Sequence, residues 1–151
     1  MAKLITDISD IFETDADILV NPVNCVGVMG AGLAKVFLQK APDIYASYKD
    51  NCEKGIIIPG EPDLTYSTRL NKYVLLFPTK LHWKDPSKIG WIEQGLTYLL
   101  FTIELGISDQ LNSIAFPLLG AGLGGLNPDE VKSCIMDYAE ASTFERVYLC
   151  G

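Results

Sequence analysis

The chain has 151 residues, 48% of them hydrophobic, which suits one globular domain over 1–151 with a core of its own. Its formal net charge of −7 argues against broad, sequence-independent attraction to nucleic acid, which needs many Lys and Arg facing phosphates. No apolar run is long enough to span a membrane and residues 1–7 lack the apolar core of a signal peptide, so a cytoplasmic protein without a membrane partner is expected.

Leu4-Ile5 reads as a short strand. Ile18-Leu19-Val20 reads as a second, a continuous apolar run of the kind buried on both faces of a parallel sheet. A helix is predicted over 31–40, with Leu33, Val36 and Phe37 on one face and Pro42 stopping it. A second helical stretch, 44–54, closes at Gly55. Residues 64–67 and 73–77 read as strands, and Pro78 ends the latter. Over 89–103 the residues Ile92, Leu96, Leu99, Leu100 and Ile103 recur near a period of 3.6, which predicts a long helix. A central strand follows at 113–116. A helix over 128–141 has Pro128 in its first turn and Asp129 and Glu130 early, as the macrodipole favours. Residues 146–150 form the closing strand. Strands alternating with helices predict an α/β fold, a three-layer α/β/α sandwich on a mixed, largely parallel sheet.

Two glycine-rich loops each leave an apolar strand and enter a helix or turn. The first is Asn24-Cys25-Val26-Gly27-Val28-Met29-Gly30-Ala31-Gly32, and the second is Leu119-Gly120-Ala121-Gly122-Leu123-Gly124-Gly125. Glycine admits φ > 0 and close backbone approach, and a helix N-terminus offers free N–H groups to phosphate. Either loop alone is equally well read as a tight turn; the pair points to a diphosphate held from both sides. Gly27, Gly30 and Gly32 run opposite to the dinucleotide fingerprint, and no Gly-Lys-Ser/Thr follows as a P-loop needs. The phosphates are therefore expected to be held, not transferred. Both loops and Thr79-Lys80 follow strand carboxyl ends, the rim where ligands of such folds sit.

The segment holding Lys80, His82, Trp83, Lys84 and Lys88 is a local basic stretch opposed only by Asp85, and composition alone is also satisfied by a solvated loop. Cys25, Cys52, Cys134 and Cys150 form no C-x-x-C pair and His82 is the single histidine, so neither a metal site nor a cofactor is expected.

Taken together, these strings resemble the macrodomain family. The resemblance rests on Asp7-Ile8, Asp17-Ile18-Leu19-Val20-Asn21-Pro22-Val23-Asn24, the first loop, and Phe116-Pro117-Leu118-Leu119-Gly120-Ala121-Gly122, in that order. More narrowly the chain is similar to the DarG branch, antitoxin macrodomains that remove ADP-ribose from thymidine in DNA. That narrower match is carried by Phe77-Pro78-Thr79-Lys80-Leu81-His82-Trp83, Ser87-Lys88-Ile89, Ile92-Glu93-Gln94-Gly95-Leu96 and Gly122-Leu123-Gly124-Gly125-Leu126.

The resemblance implies a metal-independent ADP-ribosyl glycohydrolase acting on thymidine in single-stranded DNA. Asp7 would accept the adenine N6 amino group, with Ile8 supplying a neighbouring N–H; Asp7 also fits a turn or cap. Asn24 would hold the distal ribose or else fix the loop backbone, the role expected of Asn21. Gly30, Ala31, Gly32 and Leu33 in the first loop, with Leu119, Gly120, Ala121, Gly122, Leu123 and Gly124 in the second, would hold the diphosphate. Lys80 would be the catalytic residue, as nucleophile, as Schiff-base former or by orienting water. His82, Trp83 and Lys84 would meet the base or strand by stacking and charge. A cognate DNA ADP-ribosyltransferase toxin is the implied partner.

Two departures accompany the match. A human lysine-dependent relative pairs its lysine with an aspartate in the second loop, whereas Gly122-Leu123-Gly124-Gly125 holds no acid; this favours a nucleobase-linked over a carboxylate-linked substrate. Antitoxins of the branch also carry an additional C-terminal region, so the 151 residues are either one domain of a longer protein or a stand-alone macrodomain. The competing readings are an ADP-ribose reader without turnover, and a hydrolase of protein-linked or small ADP-ribose derivatives.

Overall fold

A computed structural model describes residues 1–151. Six strands form one sheet: β1 (Lys3–Ile5), β2 (Ile18–Val23), β3 (Asp63–Ser67), β4 (Lys72–Pro78), β5 (Ser113–Phe116) and β6 (Arg146–Leu149), in the order β1-β6-β5-β2-β4-β3. Every neighbouring pair is parallel except β3 with β4, so the sheet is mixed and largely parallel.

The continuous apolar runs are explained by burial on both faces. Along β2, Ile18 and Val20 enter one core cluster while Leu19 and Val23 enter the other; along β4, Leu75 and Phe77 alternate with Val74 and Leu76 in the same way. One face is covered by α1 (Gly32–Lys40) and α2 (Tyr45–Glu53) through Phe37 and Tyr48. The other is covered by α3 (Ile89–Tyr98) and α5 (Pro128–Ala141) through Ile92, Leu96, Val131 and Ile135. Gly95 lets α3 settle on the sheet, because a Cβ there would collide with the Phe77 ring. The three-layer sandwich follows.

Three elements differ from the sequence reading. β2 continues past Val20 through Asn21, Pro22 and Val23, although Asn and Pro are poor strand residues. It is carried by pairing with β4 as far as Val23↔Pro78, whereas its pairing with β5 ends at Leu19↔Ala115. Pro22 thus lies where β2 has a strand on one side only. Pro78 is likewise the last residue of β4, not the residue beyond it. The helix predicted over 89–103 is regular only to Tyr98. It widens to a π-helical stretch over Leu99–Ile103, with the Glu104 N–H reaching back to the Leu99 carbonyl, and ends in a turn, α4 (Glu104–Gly106). The buried Glu104 carboxylate anchors that end, accepting from the Tyr138 and Ser142 hydroxyls and from the N–H and hydroxyl of Thr143.

The connections locate the site. The chain leaving β2 turns into α1 on one face, and the chain leaving the adjacent β5 reaches α5 on the opposite face. A crevice opens between such diverging connections at the strand carboxyl ends.

Candidate active site

A cleft of about 830 Å³ lies at that point. It is lined by both glycine loops, by the end of β2 and by the segment that follows β4. Asn24, Gly30, Ala31, Gly32 and Leu33 line it from the first loop; Gly120, Gly122, Leu123 and Gly124 line it from the second. Lys80, Trp83 and Lys84 also line it, together with Thr79, which the sequence places on the same rim, and with Pro117 and Leu118, to which the sequence reading assigns no role.

The first loop ends in the N-terminus of α1, where Gly32 has φ 59° and no side chain caps the helix. The N–H groups of Gly30, Ala31, Gly32 and Leu33 have no partner within the chain and face a cleft they line. Asn24 shapes this loop. Its amide donates to the Val28 carbonyl at 2.8 Å, and its oxygen accepts from the N–H groups of Val26 and Val28 and from the Tyr48 hydroxyl. One Asn24 N–H is left to meet a ligand. In the second loop the N–H groups of Gly122, Leu123 and Gly124 are also unpartnered. A Cβ on Gly122 would meet only open space, so the bare backbone faces the cleft there.

Two amides of the second loop are already used within the chain. Leu119 is fully buried in the core, and its N–H donates to the Pro117 carbonyl at 2.9 Å. The Ala121 N–H is taken by the Leu118 carbonyl at 3.1 Å, and its side chain packs on the core. Neither amide is free for phosphate.

Lys80 sits where β4 ends. Its Nζ donates to the Leu123 carbonyl at 3.2 Å and to the Trp83 carbonyl at 3.3 Å. The segment 79–88 is also tied to both loops through the backbone: the Cys25 N–H donates to the Leu81 carbonyl, and the Ser87 N–H to the Gly124 carbonyl, each at 3.0 Å. Trp83 is half exposed at the cleft mouth with the Lys84 amine 5.6 Å from its ring centroid. His82 does not line the cleft. Its Nδ1 accepts the Lys84 N–H at 3.2 Å and its ring lies 5.3 Å from that of Trp83, so it holds the turn that presents both.

The charge balance of the cleft is opposite to that of the whole chain. Two lysines line it, and no Asp, Glu or His does, in a protein of net charge −7. Free amides and ammonium groups make it an anion site, and the lysine amines are its only acid–base side chains. Cys25 in the first loop is no competing nucleophile, because burial beside Cys52 pushes its thiol up to about 11.

A second cavity of about 400 Å³ shares Leu33 and Pro117 with the first and is lined by Ser9, Asp10, Ile11, Phe12, Val36 and Lys40 among others. Asp7 and Ile8 line neither cavity, and Asp7 is exposed. The carboxylate at this end belongs to Asp10, whose Oδ1 caps a 3-10 turn (Ile11–Glu13) by accepting the Phe12 N–H at 2.9 Å. Of the Asp-Ile pairs in the sequence, the first two lie three residues apart, and the later of these, Asp10-Ile11, lines the cavity.

Residues 20–135 match the Macro domain family. The chain belongs to that family. A DNA ADP-ribosyl glycohydrolase from Mycobacterium tuberculosis is 40% identical over 126 residues, which cover 82% of this chain and 35% of the relative. The solved macrodomain of Thermus aquaticus DarG is 36% identical with a TM-score of 0.88, over 100% of this chain and 99% of that one. Thermosipho africanus DarTG in complex with ADP-ribose is 35% identical with a TM-score of 0.82, over 93% of this chain and 39% of that one. This macrodomain thus spans about a third of the length of the curated relatives it matches. No helix in it is long and apolar enough to cross a membrane.

Proposed function

We propose that this macrodomain is a glycohydrolase that releases ADP-ribose from thymidine in single-stranded DNA. The observation that carries the reading is the cleft itself: unpartnered amides on two opposed loops, with a lysine amine between them and no carboxylate in reach. The names of the similar proteins supply the substrate, a DNA-linked ADP-ribose, and a bound ADP-ribose is named for one similar structure.

ADP-ribose is assigned to the two cavities end to end. Adenine occupies the cavity beside Asp10, whose free carboxylate oxygen accepts the N6 amino group, with Phe12 and Val36 as apolar walls. The diphosphate lies between the N-terminus of α1 and the amides of Gly122, Leu123 and Gly124. The distal ribose then falls between Asn24 and Lys80, and the thymine faces Trp83 and Lys84 at the mouth. Thymine meets the indole face by stacking, and the neighbouring strand phosphates meet Lys84. Lys80 acts on the anomeric carbon as nucleophile or through an activated water, which places its amine at the bond that breaks.

A cytoplasmic antitoxin role, opposing a DNA ADP-ribosyltransferase, follows from the same reading and is supported by a transferase–glycohydrolase fusion protein among the relatives. The test is incubation with an ADP-ribosylated thymidine oligonucleotide beside a glutamate-linked ADP-ribosylated protein. Release from the oligonucleotide alone is expected. Release from the protein alone overturns the substrate, and ADP-ribose binding without release from either assigns the macrodomain as a reader.

A further inference from the structure

One side chain beside the cleft has no role in the chemistry above. Ser87 is 6% exposed, although Asp85, Pro86 and Lys88 around it are exposed. Its N–H is paired with the Gly124 carbonyl, but its hydroxyl oxygen is buried without any partner. The hydroxyl is wedged against the second glycine loop. A Cβ on Gly124 would collide with it, and one on Gly120 would lie 3.2 Å away. The Gly120 carbonyl oxygen crowds the same point above Gly124. That carbonyl accepts the Leu126 N–H at 2.9 Å and keeps a second lone pair.

We propose that Ser87 is a positioning residue for the diphosphate: when the second loop closes on its ligand, the Ser87 hydroxyl donates to the Gly120 carbonyl and holds the amides of Gly122, Leu123 and Gly124 toward the phosphates. A buried hydroxyl without a partner disfavours the ligand-free loop. A partner gained on closure favours the closed one, and only such a difference between two states shifts their balance. Ser87 lies on the segment that carries Lys80, so the same closure sets the height of the amine over the ribose. The role rests on the ADP-ribose reading of the cleft.

Ser87→Ala keeps the N–H bond to Gly124 and removes only the hydroxyl. The expected result is a melting temperature without ligand that is unchanged or higher, with ADP-ribose bound about five- to tenfold more weakly by calorimetry. Affinity within twofold of the parent overturns the role of Ser87 alone. Weaker binding accompanied by a lower ligand-free melting temperature also overturns it, because the hydroxyl is then part of the fold. A parent protein that binds no ADP-ribose overturns the functional reading, and the role of Ser87 with it.

Discussion

The Lys80 ammonium donates to the carbonyl oxygen of Leu123 at 3.2 Å, joining the end of β4 to the second glycine loop across the cleft. The bond holds the amine at the wall where the unpartnered amides of the second loop emerge. On the proposed reading, any movement of the second loop on its ligand carries the lysine with it, which limits the ordering left for the reactive complex.

Lys80→Ala is expected to lower release of ADP-ribose from thymidine by about 100-fold or more while free ADP-ribose still binds. Arginine should not restore turnover, since a guanidinium stays protonated at working pH. Single-turnover kinetics on the oligonucleotide, with calorimetry on free ADP-ribose, checks both halves. Robust hydrolysis by Lys80→Ala would remove the lysine from the mechanism.

Gly122→Glu tests the second loop. Gly122 has no positive φ and open space where a Cβ would stand, so the substitution leaves the fold intact. Its carboxylate projects into the cleft, where it occupies and repels the phosphate site. Loss of measurable ADP-ribose binding with an unchanged circular dichroism spectrum is the expected outcome.

Asp10→Asn separates the two Asp-Ile pairs. Asparagine keeps an oxygen to cap the 3-10 turn but replaces a free acceptor with an amide that repels the adenine amino group. ADP-ribose binding should weaken by about 1–3 kcal/mol. Asp7→Ala should leave it unchanged, and a reversed result in calorimetry would return adenine to Asp7.

Much of this site was legible before any coordinates. Both loops, Lys80 and the sandwich follow from residue order, because glycine, proline and apolar period act locally. What residue order did not show depends on distance. Asp7 and Asp10 are equivalent as letters, and only the turn at Ile11–Glu13 aims one of them at Pro117 and Leu33. Leu119 reads as loop by its neighbours, yet it is fully buried in the core cluster that also holds Ile114 and Phe116 of β5. Asn21 and Pro22 look like a strand terminator, and pairing with β4 overrides that propensity. Ser87 entered the sequence reading only as part of a matching string, since an unpaired hydroxyl exists only in three dimensions.

The thiols give an alkaline limit. Burial raises Cys25 and Cys150 from 9.0 to about 11, and it also raises Cys52 and Cys134. An unfolded thiol loses its proton near pH 9 while these two buried ones keep theirs to about pH 11. The unfolded chain then binds fewer protons over that window, and stability falls as pH rises through it. Denaturant midpoints should decline between about pH 9 and 11, and iodoacetamide at pH 7.5 should leave turnover unchanged.

The cleft walls spring from β2, β4 and β5, adjacent strands at the middle of the sheet. Two more strands lie beyond β5, and one lies beyond β4. Through Leu19, β2 is therefore flanked on both sides, and only its last residues, Val20 to Val23, depend on β4 alone. The amides of Ile18, Leu19 and Val74 are expected to exchange only when the whole molecule opens. Lys80 thus closely follows a strand, β4, that is paired along its whole length with β2 or β3. Local melting of this cleft is therefore expected to start at Val20–Val23, the stretch of β2 held by a single neighbouring strand.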